Sequence, residues 1–507
     1  MSDNKKNLNI DKKALKEKNK TLKREETRLK KEKKVLRKKE KQKIKQEKKL
    51  NDKFLAKKQK EEKFLIKQKI KEEKVKKAHL NKIAQAKYVD WFKLDNAATI
   101  YPSIKDDNWS FVVRASVLLK EQVNPEVLQQ AVNDTMPRFP TFNVRLRKGI
   151  FWNYFEINNM PIKVEKETKF PCSTFNLFNF KGHIVRVLYY NNRISVECFH
   201  AISDLRAETK FFNSLLRRYF NLLGANIESS EGCLEILDLP RKEESEDAFF
   251  KYCDKSKKIK HKEEKAHKIQ GTLLENGVVN ATLGTMSTSK IKELAKQYNA
   301  TVGEYLSAVV GYSVWKLNKN HKRPIKLSIP VDLRRFFPSA TLRNFSGYVN
   351  VEIKPKQGDY TFEEILEIIK EEYKRINEKY LKAFINSNVT IQKNFFIKIV
   401  PLIIKNLIIK LCFKAWGEAY QTINISNIGL VNCPKEFSNY IEKYMVNLGR
   451  PKYNAKTIGI VSFDDKLCLT VSSKVKEMNL EEEIFKFLAS QNLEVLIETN
   501  RRDIYGQ

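Results

Sequence analysis

No CxxC pair occurs among the seven cysteines of this 507-residue chain, and their number is odd. That pattern argues against a zinc finger or a disulfide scaffold and suits a reducing compartment. Proline and glycine are both missing between Lys5 and Ala86, so nothing there breaks a helix or shapes a tight turn. Long apolar runs are absent too. The greasiest stretch, Phe395 to Phe413, is interrupted by Lys398, Lys405, Asn406 and Lys410, whereas a membrane span wants about 18 nearly uncharged residues. No apolar segment follows the charges of the N-terminus, so no secretory signal is visible. The expectation is a soluble cytoplasmic protein, at most peripheral to a membrane. There is no GxSxG elbow, no GxxxxGK(S/T) phosphate loop and no HExxH pair, which removes three common chemistries. No metal site is expected. No repeat of about 20–50 residues appears either, so this is not a solenoid.

What is abundant is positive charge. The chain carries 97 Lys and Arg against 61 Asp and Glu, a formal net charge of +36. Residues 1–87 hold 35 basic and 13 acidic groups, leaving 62 and 48 for the remainder. A basic arm therefore precedes a moderately basic body, which is large enough for about two to four domain-sized units. The arm is built of good helix formers. Leu8, Leu15, Leu22, Leu29 and Leu36 recur every seventh residue, but the second apolar position of a coiled coil is mostly Lys or Glu, and the phase slips after Leu36. Three readings stay open: a solvated, partly helical extension, a weak self-association helix, or a contact with RNA or an anionic membrane through lysine density. Only Phe54 and Phe64 interleave aromatics with that charge, few for a single-strand binder. The oligomeric state is open.

After Tyr88 the pattern turns globular. Trp109–Leu119 reads as a strand, and a helix opens at Asn124-Pro125, a good cap and first-turn pair. Short strands follow near 142–146, 151–157, 183–190 and 193–199, then a helix over 206–223. A charged, aperiodic stretch, 238–268, reads as an exposed linker or crossover between lobes. Helices are expected over 289–298, 302–317, 362–380 and 480–489, with strands over 325–331, 347–353, 422–426, 457–463 and 467–473. Asn394–Lys414 reads as a wide amphipathic helix broken at Pro401, packed in the core or between lobes, or else a greasy surface for long-chain acceptors or membrane. The fold class is α+β, with lobes at 88–237 and 269–507.

Of six histidines, His79 lies in the arm, His261 and His267 in the charged linker, His321 in a loop, and His183 at a strand start. All five read as structural or solvated. His200 ends the alternating strand Ile194-Val196-Cys198 and is followed four residues later by Asp204. A histidine at a strand end can face a cleft, and Asp204 can brace the turn. These residues alone leave a functional and a structural histidine both open. Cys198 lies two residues before His200, as a conceivable nucleophile or a small buried hydrophobe.

FHAISD after a strand resembles the HxxxD(G) motif of the CoA-dependent acyltransferase superfamily, which includes chloramphenicol acetyltransferase and peptide-synthetase condensation domains. LDNAATIYP (94–102), MPRFPTFNVRLRKG (136–149), IPVDLRRFFPSATLRNFSGY (329–348) and ISNIGLVNCP (425–434) are similar to further segments of that group. Their order most resembles the bacterial alcohol acetyltransferase-like branch, over nearly all of residues 88–500. Leu205 stands where the family usually has Gly, and Phe199 where a second His is frequent.

The resemblance implies two chloramphenicol-acetyltransferase-like lobes with a tunnel between them, and acyl-CoA as a co-substrate with no tightly bound cofactor. The acceptor would be a small or lipid-like alcohol. His200 would take the acceptor's proton, and an ordinary imidazole, titrating near about 6.5, is mostly neutral at pH 7. Asp204 would pair with an arginine, Arg334 or Arg343. Asn344, Ser346 and Ser426 are candidates for the oxyanion donor or for structural support. Leu205 leaves a catalytically impaired binding protein as the alternative, and transfer to an amine or a condensation-type reaction as another.

Overall fold

The computed structural model describes residues 4–85, 91–105, 109–179, 181–254, 256, 258–259, 264–416 and 418–501. The chain forms two compact units, residues 1–81 and 82–507. The first is carried by one helix, Asn4–Gln85, about 120 Å long at 1.5 Å per residue. Leu22, Leu29 and Leu36 on its heptad line are exposed, as are Phe54 and Phe64. The side chains of Leu8, Leu15 and His79, and all of His261, lie outside the described residues.

The second unit is a pair of α+β lobes. The first lobe holds a five-stranded sheet ordered Ile441–Leu448, Val112–Leu119, Arg193–Phe199, Val185–Tyr190, Val164–Lys166. All pairs are antiparallel except the last. Helices Pro125–Thr135 and Leu205–Leu222 bury their apolar faces in the same core as this sheet. The first begins where the dipeptide demands: Pro125 needs no N–H partner, and the Asn124 side chain accepts from Val127 N. Within this sheet Arg114 is buried against Glu167 and Glu197, at 2.7 and 2.9 Å. The pairing satisfies a charge that burial alone would make costly.

The second lobe holds seven strands, ordered Ser346–Ile353, Ile325–Asp332, Ile423–Leu430, Lys456–Phe463, Lys466–Ser473, Asn280–Ser287, Leu496–Thr499. Ile423–Leu430 is parallel to both neighbours and the other pairs are antiparallel. Helices Thr288–Gln297, Val302–Leu317, Phe362–Tyr373 and Asn479–Ser490 share its core. Thr301 opens the second of these through a reciprocal cap with Glu304. A three-stranded sheet joins Trp91–Lys93, Asn153–Ile157 and Val144–Lys148.

The structure departs from the sequence reading in four places. Ile441–Leu448 crosses from the second lobe's stretch into the first lobe's sheet, pairing with Val112–Leu119. The lobes are thus not two consecutive segments. Gly459 permits the crossing, since a Cβ there would meet the Val446 carbonyl oxygen at 2.7 Å. The expected helix 362–380 is two, Phe362–Tyr373 and Glu378–Lys393, because the Asn377 side chain caps a new start by accepting from Tyr380 N. The stretch 238–268 is a docked crossover. Glu244 is buried against Arg138 through bonds of 2.6 and 2.8 Å, and Phe249 packs on Phe345. His267, expected to be solvated, lies half-buried with its ring edge-on to buried His321. Pro401 breaks Asn394–Lys414 into Phe395–Ile399 and Leu402–Trp416 as expected, and of the two placements left open the second helix takes the surface one, with its apolar face to solvent.

Candidate active site

Alternation along Arg193–Phe199 places Ile194, Val196 and Cys198 in the core and delivers His200 to the strand's end. The His200 backbone N–H is held by the Phe111 carbonyl at 2.8 Å. Phe111 has φ of +44°, a left-handed conformation that costs a bulky residue about 1–3 kcal/mol and is tolerated where the surroundings impose it. Tyr101 stacks on the imidazole at 5.0 Å with an interplanar angle of 15°.

The imidazole is oriented through Nδ1, which lies 3.2 Å from both the Ser203 carbonyl oxygen and Asn344 Oδ1. A carbonyl oxygen only accepts, so Nδ1 carries the proton and Nε2 is left with its lone pair. The amide of Asn344 is fixed in turn. Its Nδ2 donates to Asp95 Oδ2 and to the Ala201 carbonyl, both at 3.3 Å, so Oδ1 must face the histidine. No hydrogen bond occupies Nε2 among the described residues. The result is a base with one nitrogen anchored and the other open.

Asp204 points away from the imidazole and ties the two lobes together. It caps the helix Leu205–Leu222 through Ala207 N, and its Oδ2 accepts from Phe345 N and from Arg334 Nη1, both at 2.8 Å. Burial pushes its carboxyl up, but Arg334 and these backbone donors outweigh that and hold it below the usual carboxylate range. Arg334 also reaches Asp332 and the Thr341 and Arg343 carbonyls. Arg343 faces elsewhere, 3.5 Å from Asp95. Of the two arginines, Arg334 is therefore the one that meets Asp204.

The remaining candidates separate. Asn344 has both amide hydrogens committed, so it positions His200 and has none to give an oxyanion. The hydroxyls of Ser346 and Ser426 are half-buried and make no hydrogen bond among the described residues. Ser346 lies two residues beyond Asn344, and Ser426 pairs with Gly459 across a parallel ladder. Cys198 is fully buried, and desolvation drives its thiol well above the ordinary value, which leaves no thiolate for attack. Leu205 occupies the first turn of a regular helix and is not among the residues with positive φ. The position makes no demand for glycine's conformational freedom.

Sequence reasoning missed Asp95, Asp247 and Tyr101. Burial raises Asp95, with Arg343 acting against it. Burial and then the Asp95 carboxylate push Asp247 up to about 6. Asp95 and Tyr101 sit in the LDNAATIYP segment already singled out, but nothing local in it marks which residue reaches the histidine. Among the described residues no cluster of His, Cys, Asp and Glu could hold a metal, and no helix is long and apolar enough to cross a membrane.

No family model and no curated protein matches this chain. Solved structures do. The chain is similar to TRI101 of F. sporotrichioides, crystallised with coenzyme A and T-2, with a TM-score of 0.54 at 11% identity over 80% of this chain and 99% of that one. It is similar to the first condensation domain of the CDA synthetase, with a TM-score of 0.52 at 10% identity over 80% and 96%. A third likeness is to the trichothecene 15-O-acetyltransferase TRI3 from Fusarium sporotrichioides, with a TM-score of 0.51 at 11% identity over 79% and 95%. The chain has the fold of these three structures. At such identities it is the fold that is shared, and the chemistry has to be argued from His200 and its surroundings.

Proposed function

We propose that the protein transfers an acyl group from acyl-CoA to an alcohol hydroxyl, with His200 as general base. The observation that carries this reading is the imidazole anchored through Nδ1 with Nε2 open. The acceptor hydroxyl gives its proton to Nε2 as its oxygen attacks the thioester carbonyl. The tetrahedral oxyanion would be met by a hydroxyl donor, with Ser346 and Ser426 available, and such a donor is worth about 2.7–4 kcal/mol. On collapse the C–S bond breaks, and the imidazolium returns its proton to the departing CoA thiolate. No acyl-enzyme forms, in keeping with the buried Cys198. Asp204 and Arg334 hold the His200 turn against the second lobe, and Asn344 and Asp95 hold the ring.

Condensation-domain neighbours keep an amine acceptor as the second reading. The impaired-binder reading rested on Leu205, which here fits a regular helix. The test is thiol release from acetyl-, octanoyl- and palmitoyl-CoA against pooled alcohols and pooled amines. Alcohol-dependent release supports the assignment, amine-dependent release alone moves it to N-acyl transfer, and saturable acyl-CoA binding without release on either pool refutes it.

A further inference from the structure

The helix Leu402–Trp416 is turned inside out. The residues it presents to the body include Lys405 and Asn406. Lys405 is buried, donates to the Phe151 carbonyl at 2.9 Å and lies 3.4 Å from the Trp152 ring centroid. Asn406 accepts from Ser103 Oγ at 2.7 Å. Desolvation pushes the Lys405 ammonium down to about 8, so this anchor is made at some cost. The outward face is apolar: Ile403 is 85% exposed, Leu407 and Leu411 60% each, and Ile404 and Ile408 about half. Ile399 on the preceding helix continues the stripe, and Ile150, 78% exposed, abuts its start because Leu402 N donates to the Ile150 carbonyl. A contiguous exposed apolar stripe is a binding surface by default.

The charges around the stripe select its occupant. Between Glu378 and Glu418 there are seven lysines and no carboxylate. Lys398 and Lys410 are exposed beside the stripe and form no ion pair among the described residues. A second copy of this chain would set those lysines against one another, whereas a surface of anionic headgroups over acyl chains satisfies both features at once. The helix is 15 residues long, about 22 Å, too short to span and suited to lie in the interface. Its place is informative as well. Asn406 and Phe413 rest on Ser103 and Trp109, and Ser103 belongs to the short helix Tyr101–Ile104, whose Tyr101 stacks on His200.

We propose that Leu402–Trp416, with Ile399 and Ile150 at its start, docks the protein on an anionic phospholipid surface and sets that surface one side-chain layer from His200. The proposal stands independently of the acyl-transfer assignment. Cys412 is the one exposed cysteine of the seven and lies on this helix. The full-length protein carrying an environment-sensitive dye on Cys412 is mixed with vesicles of phosphatidylcholine alone or with phosphatidylglycerol added. The expected result with phosphatidylglycerol is a blue shift, and quenching by doxyl-labelled acyl chains, both stronger than with phosphatidylcholine alone and weakened but not abolished by high salt. Ile403→Ser/Leu407→Ser/Leu411→Ser, which touches only exposed side chains, should lower partitioning at least tenfold and remove the quenching. Co-sedimentation through the basic arm alone would bring vesicles without quenching, and that result overturns the proposal. Quenching unchanged in the triple variant overturns it too, as does a wild-type dimer in sedimentation velocity that the triple variant abolishes.

Discussion

Asp204→Asn exchanges a carboxylate that receives Arg334, Phe345 N and Ala207 N for an amide that can accept through one oxygen only. Arg334 keeps Asp332 and two carbonyls, so its charge is not orphaned, but a buried ion pair across the lobes is broken. Removing one partner of such a pair costs about 3–5 kcal/mol. A body of about 420 residues unfolds with an entropy near 0.9 kcal/mol/K, at about 2.1 cal/mol/K per residue. The expected fall in Tm at neutral pH is therefore about 3–6 °C. The pH dependence has a definite sign. The Asp204 carboxyl is held below its unfolded value, so its contribution is complete above about pH 5 and is lost as pH falls through the folded pKa. The gap between wild type and Asp204→Asn should close in acid. Intrinsic-fluorescence melts across neutral and acid pH measure this. A gap under about 1 °C at neutrality, or one that persists unchanged into acid, would refute the bracing role.

Asn344→Ala should lower kcat by about 10–100-fold with KM little changed, because it frees the ring without removing a substrate contact; steady-state kinetics on the best acyl-CoA decide it, and a rise in KM alone would contradict it. Gly459→Ala should destabilise by about 1–3 kcal/mol, read by urea unfolding, since its Cβ meets the Val446 carbonyl where the crossing strand passes. Glu208 is fully buried and desolvation raises its carboxyl well above the ordinary value, so folding takes up a proton and stability falls as pH rises. Glu208→Met should melt higher than wild type at pH 8, by a margin that shrinks toward pH 5; an equal margin at both would show that the carboxyl is not neutral in the fold.

His200 was singled out by two local signals, an alternating strand and an aspartate four residues on, but those left a structural histidine equally open, and it was the likeness of FHAISD to the HxxxD motif that chose between them. Asp95 was not singled out, since it reaches the histidine only through Asn344, 249 residues away. Arg334 and Arg343 share one loop and one charge, and only the path of the backbone separates them. Helices with a cap written into them, such as Asn124-Pro125 and Thr301 with Glu304, were found within a residue or so. The strand Ile441–Leu448 went unread. Lys443 sits buried in it beside Glu498, spoiling the alternation, and its partner strand lies over 300 residues earlier. Leu402–Trp416 was readable as amphipathic, but which face meets solvent depends on Ser103 and Trp152, which periodicity does not see.

The most direct test of the account is acyl-CoA turnover by His200→Ala beside wild type, with matched circular dichroism and matched acyl-CoA binding. The account predicts acceptor-dependent thiol release in wild type and a loss of at least about a hundredfold in kcat in the variant, with binding retained. Undiminished turnover by a folded His200→Ala would contradict it.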